Sequence, residues 1–248
     1  EMCGAGPDNG VIEIGPGIGV LTVELAKRAK KTVSVELDTR LIPVLAETLT
    51  DYRNAQVINA DVMKTDLGRL IDEQFGGMRV FVCANLPYYI TSPIIMYLLE
   101  SRLPVESITV MVQKEAAERL CAPVGTRSAG ARTAAVKYYA SAERLFEVGR
   151  SSFLPSPNVD SEVIKLTVRK TPPVSVDDEK FFFSVISASF SQRRKTAANG
   201  LSSTLGISKD KINTALADIG VSPTVRAEAL SMEQLAALSN KLREIKNG

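Results

Sequence analysis

The residues best equipped for chemistry in this chain are Asn85-Leu86-Pro87-Tyr88, with Tyr89 behind them. They follow an apolar run, Arg79-Val80-Phe81-Val82-Cys83-Ala84, that reads as a buried strand. They precede Thr91-Ser92-Pro93, where Pro93 suits a first helical position and predicts a helix start. An amide, a rigid proline and an aromatic ring are therefore expected where a central strand ends. That is the edge at which open α/β sheets bind ligands. An asparagine oxygen and a neighbouring backbone carbonyl can each accept a hydrogen bond from an exocyclic amine. A tyrosine face can stack on the flat base that carries the amine. The competing reading is an ordinary strand-to-helix turn over a buried tyrosine, since proline and asparagine are common turn residues.

The segments upstream decide between the two. Val11-Ile12-Glu13-Ile14 reads as a strand, and Gly15-Pro16-Gly17-Ile18-Gly19 follows it. Val20 to Ala29 then shows helical spacing through Leu21, Leu25, Ala26 and Ala29. A dinucleotide loop places its third glycine after a two-residue gap, and that position is Val20, so the spacing leans away from a pyrophosphate ligand. Glycines at 15, 17 and 19 still let a cofactor's polar tail approach the backbone closely. Thr32-Val33-Ser34-Val35-Glu36 is a second strand, and its terminal acid stands where a carboxylate binds ribose hydroxyls. Arg40 to Leu49 reads as a second helix, and Gln56-Val57-Ile58-Asn59-Ala60-Asp61 as a third strand ending in an acid suited to an adenine amine. Glycine loop, ribose acid and adenine acid on three successive strand ends are what an S-adenosylmethionine site requires.

Composition narrows the chemistry further. The chain has 248 residues, 45% of them hydrophobic, enough for one large domain or a medium and a small one. It has no histidine, which excludes a Ser-His or Cys-His nucleophile and any His-ligated metal. Three scattered cysteines, Cys3, Cys83 and Cys121, form no Cys-x-x-Cys pair and fit a reducing cytoplasm. No apolar run approaches the roughly 20 residues of a membrane helix. Net charge is +2 but uneven. Residues 1–101 hold 9 Lys and Arg against 13 Asp and Glu, and residues 102–248 hold 21 against 15. An acidic half for a cationic ligand and a basic half for nucleic acid would give that pattern, as would ordinary surface scatter.

Strand–helix alternation over the first 120 residues predicts a Rossmann-like, mostly parallel α/β sheet. Ser107 to Gln113 is a further strand, Lys114 to Leu120 and Ala131 to Ala140 are helical, and Ala142 to Val148 with Val163 to Val168 predict an antiparallel edge hairpin. The loop between those two strands carries Phe153, stiffened by Pro155 and Pro157. Thr171-Pro172-Pro173 is the linker candidate, giving a sheet domain over 1–172 and a small all-helical domain over 173–248. In the second, Gln192-Arg193-Arg194-Lys195 is a tight basic cluster, Gly220 a helix stop, and Ser231-Met232-Glu233-Gln234 a capping box.

From Val11 onward these motifs resemble the ribosomal RNA adenine N6-dimethyltransferase family of the small-subunit (KsgA/RsmA) type, with the Erm resistance methyltransferases as cousins. The resemblance rests on Glu13-Ile14-Gly15-Pro16-Gly17-Ile18-Gly19, Glu36-Leu37-Asp38, Asn59-Ala60-Asp61, Asn85-Leu86-Pro87-Tyr88, Gln113-Lys114-Glu115, Phe153-x-Pro155-x-Pro157-x-Val159-Asp160-Ser161 and Gln192-Arg193-Arg194-Lys195. Leu86 and the C-terminal basic cluster are similar to the small-subunit branch; Erm proteins more often carry isoleucine at the first of these.

The resemblance implies roles. Gly15 and Gly17 would hold the methionine end of S-adenosylmethionine, Glu36 its ribose and Asp61 its adenine, with Asn85 bordering the cofactor. Asn85 and the Leu86 carbonyl would accept hydrogen bonds from the target adenine N6, in the turn set by Pro87. Tyr88 and Phe153 would sandwich the base, and Arg193, Arg194 and Lys195 would meet RNA phosphates. Two adjacent adenosines in the 3′-terminal helix loop of small-subunit (16S) ribosomal RNA would be methylated, leaving S-adenosylhomocysteine. No metal or membrane would be involved, and a cytoplasmic monomer is expected. The family usually has a helix and a Gln-x-Phe segment ahead of the first strand, so the chain reads as N-terminally incomplete. Ala129 to Lys137 departs from the family's usual Tyr-Gly-x-Leu-Ser run. Alternatives are an Erm-type large-subunit (23S) enzyme, a non-catalytic RNA-binding assembly factor on the same fold, and a dehydrogenase, against which Val20 counts.

Overall fold

The structure, a computed structural model, describes residues 2–192 and 194–247. It divides into two compact units, Glu1–Ala117 with Ala140–Val168, and Glu118–Tyr139 with Arg169–Gly248.

The first unit begins with β1 (Gly10–Ile14), α1 (Val20–Ala26), β2 (Lys31–Glu36), α2 (Ile42–Thr48), β3 (Ala55–Asn59) and α3 (Leu67–Phe75). It continues with β4 (Val80–Asn85), α4 (Tyr88–Glu100), β5 (Val105–Gln113) and the start of α5 (Lys114–Cys121). After α6 (Ala131–Tyr139), which belongs to the second unit, β6 (Ala140–Val148) and β7 (Ser161–Val168) return to the sheet. Among the described residues one seven-stranded sheet runs β3-β2-β1-β4-β5-β7-β6. All pairings are parallel except those of β7, which runs antiparallel to β5 and β6. Every residue of β1 and the first five of β4 are buried. That explains why β4 reads as a continuous apolar run, and β1 as one interrupted only by Glu13, instead of alternating.

The strand order places the functional edge. The chain leaves β1 toward β2 and β3, then crosses back to β4 on the other side of β1. Between β1 and β4 the order reverses, and there the connections leaving two adjacent strands diverge and open a crevice. The glycine loop leaves β1 and Asn85 ends β4, so both flank that point, with Ile14 opposite Ala84 in register.

Two expectations about boundaries change. The helix expected to start at Thr91 starts at Tyr88, with Pro87 as its N-cap and Pro93 inside it. Ile90 N–H and Thr91 Oγ1 both donate to the Pro87 carbonyl, at 3.1 and 2.9 Å, which closes the first turn earlier. Pro93 removes one donor from the ladder, at the Tyr89 carbonyl, without ending the helix. The edge strands also start two residues earlier than their apolar alternation, at Ala140 and Ser161.

The second unit holds α6, α7 (Glu179–Phe190), α8 (Ala197–Leu205), α9 (Lys209–Asp218) and α10 (Met232–Asn247). The expected division after residue 172 differs from this one, because residues 118–139 group with the helices. The reason is aromatic. Tyr139 stacks on Phe183 with centroids 5.3 Å apart, and Tyr138 packs against Phe182 at 5.4 Å. Both tyrosine hydroxyls donate to Glu179, at 3.1 and 3.2 Å. The capping box forms as expected: Ser231 N–H donates to Gln234 Oε1 at 3.0 Å, and Gln234 N–H to Ser231 Oγ at 3.2 Å. Among the described residues no helix is long and apolar enough to cross a membrane.

Candidate active site

One half of the candidate site forms at the end of β4. Asn85, Leu86, Pro87 and Tyr88 line an open pocket of about 280 Å³ together with Phe153, Pro155 and Pro157. The sequence places Phe153 65 residues beyond Tyr88, so the fold brings the two aromatic rings to one cavity. Leu86 is buried, which fixes the turn, while Asn85 is exposed and Tyr88 and Phe153 are half-buried. Among the described residues no protein group engages the Asn85 amide, so its oxygen is available to a ligand. Tyr88 Oη lies 2.7 Å from Ser161 Oγ.

The second half of the site lies at the ends of β1, β2 and β3. Gly15 and Gly17 have φ of 68° and 60°, a region that a side chain disfavours. A Cβ on Gly17 would meet no protein atom within 4 Å, so the space above that loop is open. A Cβ on Gly15 would stand 3.4 Å from Leu86 Cδ2, which puts the glycine loop against the Asn-Leu-Pro-Tyr turn. Glu36, 6% exposed, accepts from Gly17 N–H at 3.3 Å and from Asp38 N–H at 2.7 Å, tying β2 to the glycine loop. Asp61 caps the turn after β3 through Met63 N–H at 3.0 Å, with Lys64 Nζ 3.6 Å away.

Four residues carry no assigned role in the sequence reading. Asn59 Nδ2 donates to the Glu36 carbonyl at 2.8 Å and holds the ends of β2 and β3 together. Leu37 and Met63 leave apolar side chains exposed next to Glu36 and Asp61, surfaces against which a flat ring can pack. The signal was an apolar residue just past each strand-end acid. Glu13, 1% exposed, accepts from Thr22 Oγ1 at 2.6 Å and Ser34 Oγ at 2.7 Å, so it braces α1 and β2 behind the glycine loop. Burial raises its pKa above the usual 4.5, and the two hydroxyls oppose that rise.

The basic cluster is only partly described. Arg194 and Lys195 are exposed between α7 and α8, with Lys195 N–H bonded to the Gln192 carbonyl at 2.9 Å. Arg193 lies outside the described residues. Among the described residues no group of three or more His, Cys, Asp or Glu could hold a metal ion.

A mostly parallel sheet with one reversed strand and ligand-facing strand ends at β1 and β4 defines a Rossmann-like methyltransferase fold, here with an appended helical unit. The chain superposes on a dimethyladenosine transferase from Plasmodium falciparum with a TM-score of 0.75 at 27% identity, covering 98% of this chain and 92% of that one. It superposes on the 23S rRNA methyltransferase ErmE with a TM-score of 0.71 at 28% identity, covering 98% and 94%. It is 51% identical over 242 residues to the ribosomal RNA small subunit methyltransferase A of Geobacillus sp. (strain WCH70), spanning 96% of this chain and 83% of that relative. The family model described as ribosomal RNA adenine dimethylase matches residues 4–244, and the chain belongs to that family.

Proposed function

We propose that this protein dimethylates N6 of two adjacent adenosines in the 3′-terminal helix loop of small-subunit ribosomal RNA, with S-adenosylmethionine as methyl donor. The observation that carries the reading is the uncommitted Asn85 amide, sharing one pocket with Tyr88 and Phe153. Small-subunit specificity is supported by the 51% identity to a small-subunit enzyme, against 28% to ErmE.

The residues present fit the donor. Gly15 and Gly17 leave room beside the backbone for its methionine portion, Glu36 suits its ribose and Asp61 its adenine. The glycine loop itself carries no Lys or Arg, which suits a phosphate-free cation. When bound, S-adenosylmethionine supplies an electrophilic methyl group on a sulfonium.

The protein's part is positioning and electrostatics. Adenine N6 is a poor nucleophile because its lone pair is delocalised into the ring. In the first transfer Asn85 Oδ1 and the Leu86 carbonyl accept its two N–H hydrogens and favour a pyramidal nitrogen with its lone pair turned out of the ring; in the second, the one N–H that remains bonds to one of these two acceptors. Tyr88 and Phe153 hold the base once it has left its stack, each ring contact worth roughly 1–3 kcal/mol. N6 releases a proton to solvent after alkylation, so no strong protein base is needed. Arg193, Arg194 and Lys195 meet phosphates, a salt-dependent and sequence-blind contribution. The protein acts as a cytoplasmic monomer.

The test is methyl transfer from labelled S-adenosylmethionine to small and large ribosomal subunits that lack the modification, with mass mapping of the product. Adjacent N6,N6-dimethyladenosines in small-subunit RNA are expected. Label in the large subunit alone would replace this reading with the Erm-type one.

A further inference from the structure

The two aromatic walls of the acceptor pocket are anchored by residues that do not line it. Tyr88 opens α4, whose N-terminus has no side-chain cap, and the far end of its ring is tied to Ser161 at 2.7 Å across 73 positions of sequence. Ser161 is fully buried at the first position of β7, paired with Gln113 of β5 on one side and Val148 of β6 on the other. A hydroxyl held between two ladders is a fixed point. A half-buried phenol bonded to it loses freedom to tilt, and either oxygen left unpaired there would lose stabilisation.

The preceding residue secures the opposite wall. Asp160 Oδ1 accepts from Arg150 N–H at 2.9 Å, and the Asp160 carbonyl accepts from Lys114 N–H at 3.0 Å. Ser156 Oγ donates to the Arg150 carbonyl, also at 2.9 Å. These bonds close the base of the loop that carries Phe153. Asp160 and Ser161 thus secure the Phe153 loop and the Tyr88 ring from adjacent positions.

We propose that Ser161 is a positioning residue for methyl transfer, holding the Tyr88 ring in the orientation that receives the target base, and that Asp160 does the same for the Phe153 loop. This rests on the base-pocket reading above. A ring oriented before the base arrives loses no further rotational freedom on binding, so the base enters already aligned.

A double-mutant cycle tests this on the full chain with small-subunit RNA: Ser161→Ala, Tyr88→Phe and both together. Phenylalanine keeps the ring and removes only the hydroxyl. Each single change is expected to lower kcat about 3- to 10-fold, the range of one net hydrogen bond. The double is expected to lose no more than the worse single. Ser161→Thr, which retains a hydroxyl, restores most of the rate, and Asp160→Asn, still able to accept from Arg150 N–H, outperforms Asp160→Ala. Binding of the cofactor analogue sinefungin stays unchanged throughout. A fluorescent adenine analogue at the target position is quenched less by both singles. Additive losses, unchanged activity in Tyr88→Phe, or sinefungin affinity falling alongside rate would overturn the inference while leaving the function standing. A wild type inactive on small-subunit RNA but able to bind sinefungin would overturn both.

Discussion

The proposed donor and acceptor halves of this site are built from different parts of the chain. The donor half uses backbone: left-handed glycines at 15 and 17, and N–H groups of Gly17 and Asp38 collected by one carboxylate. Its residues end β1, β2 and β3, neighbours in the sheet and close in sequence. The acceptor half uses side chains: an exposed amide, two rings and three prolines, gathered from β4, the start of α4 and the loop between β6 and β7. One of its rings is tied by a hydrogen bond spanning 73 residues. A flexible, polar ligand tail can be held by backbone alone. A flat base that must present one nitrogen needs walls at a fixed angle, and walls come from side chains.

The sharpest way to break that comparison is Asn85→Ala. If the amide acts on N6 in the transition state, kcat should fall about 10²–10³-fold, the loss that one preorganised polar group produces. RNA binding, measured by filter retention, should persist. Full activity in this variant would sink the mechanism and leave the acceptor half as mere shape.

Glu36→Ala should give the opposite kinetic signature. It strips the acceptor from two backbone N–H groups and removes the proposed ribose partner, so KM for the donor should rise about 10- to 100-fold, as for loss of a charge-assisted bond or two. The rate at saturating donor should change far less. A fall in kcat with KM intact would mean that Glu36 serves the chemistry and not the donor.

Gly17→Ala sharpens the backbone claim. No protein atom crowds the new methyl group, so the cost to folding should be only the left-handed strain of about 1 kcal/mol, read by urea melting. Donor affinity should drop by more than that strain explains, because the methyl enters the space above the loop. Equal losses in stability and affinity would show that the space is not used.

How much of this was legible in the sequence follows the same division. The sheet, the glycine loop and the strand-end acids could be read because each is a local pattern: a run of apolar residues, a turn, an acid. Asn85 and Tyr88 were legible for that reason too. The start of α4 was not, because Thr91-Ser92-Pro93 mimics a helix start, whereas Thr91 already lies inside the first turn and its hydroxyl donates to the Pro87 carbonyl. Residues 118–139 were read with the sheet because linkers are recognised by proline, whereas what assigns α6 to the helices is Tyr138 and Tyr139 packing on residues more than 40 positions away. The burial of Ser161 and its bond to Tyr88 leave no local trace at all. Glu13 was visible only as a motif letter, since nothing in its own segment says that Thr22 and Ser34 converge on it.

Glu13 supplies the smallest test, and it distinguishes the halves by pH. Its pKa is raised chiefly by burial, with hydroxyl bonds from Thr22 and Ser34 opposing and the Glu36 charge adding to the rise. A carboxyl whose folded pKa lies above its unfolded value stabilises the fold below that unfolded value, near 4.5, and loses the contribution as pH rises through the folded one. Both hydroxyls donate to the same oxygen, Oε2, so Glu13→Gln keeps an amide oxygen for them but cannot ionise, and it removes that dependence. Relative to wild type, the variant should gain thermal stability as pH climbs from below 4.5 toward neutral. The gain should be about 2–4 °C in Tm if about 1 kcal/mol is at stake in a chain of this size. The acceptor half, built on an amide, prolines and rings, offers no buried carboxylate to produce such a slope, so Asn85→Asp or Phe153→Leu should not remove it. A Glu13→Gln curve parallel to wild type at every pH would mean that the brace behind the glycine loop is packing and hydrogen bonding alone, with nothing lost to the ionisation of Glu13.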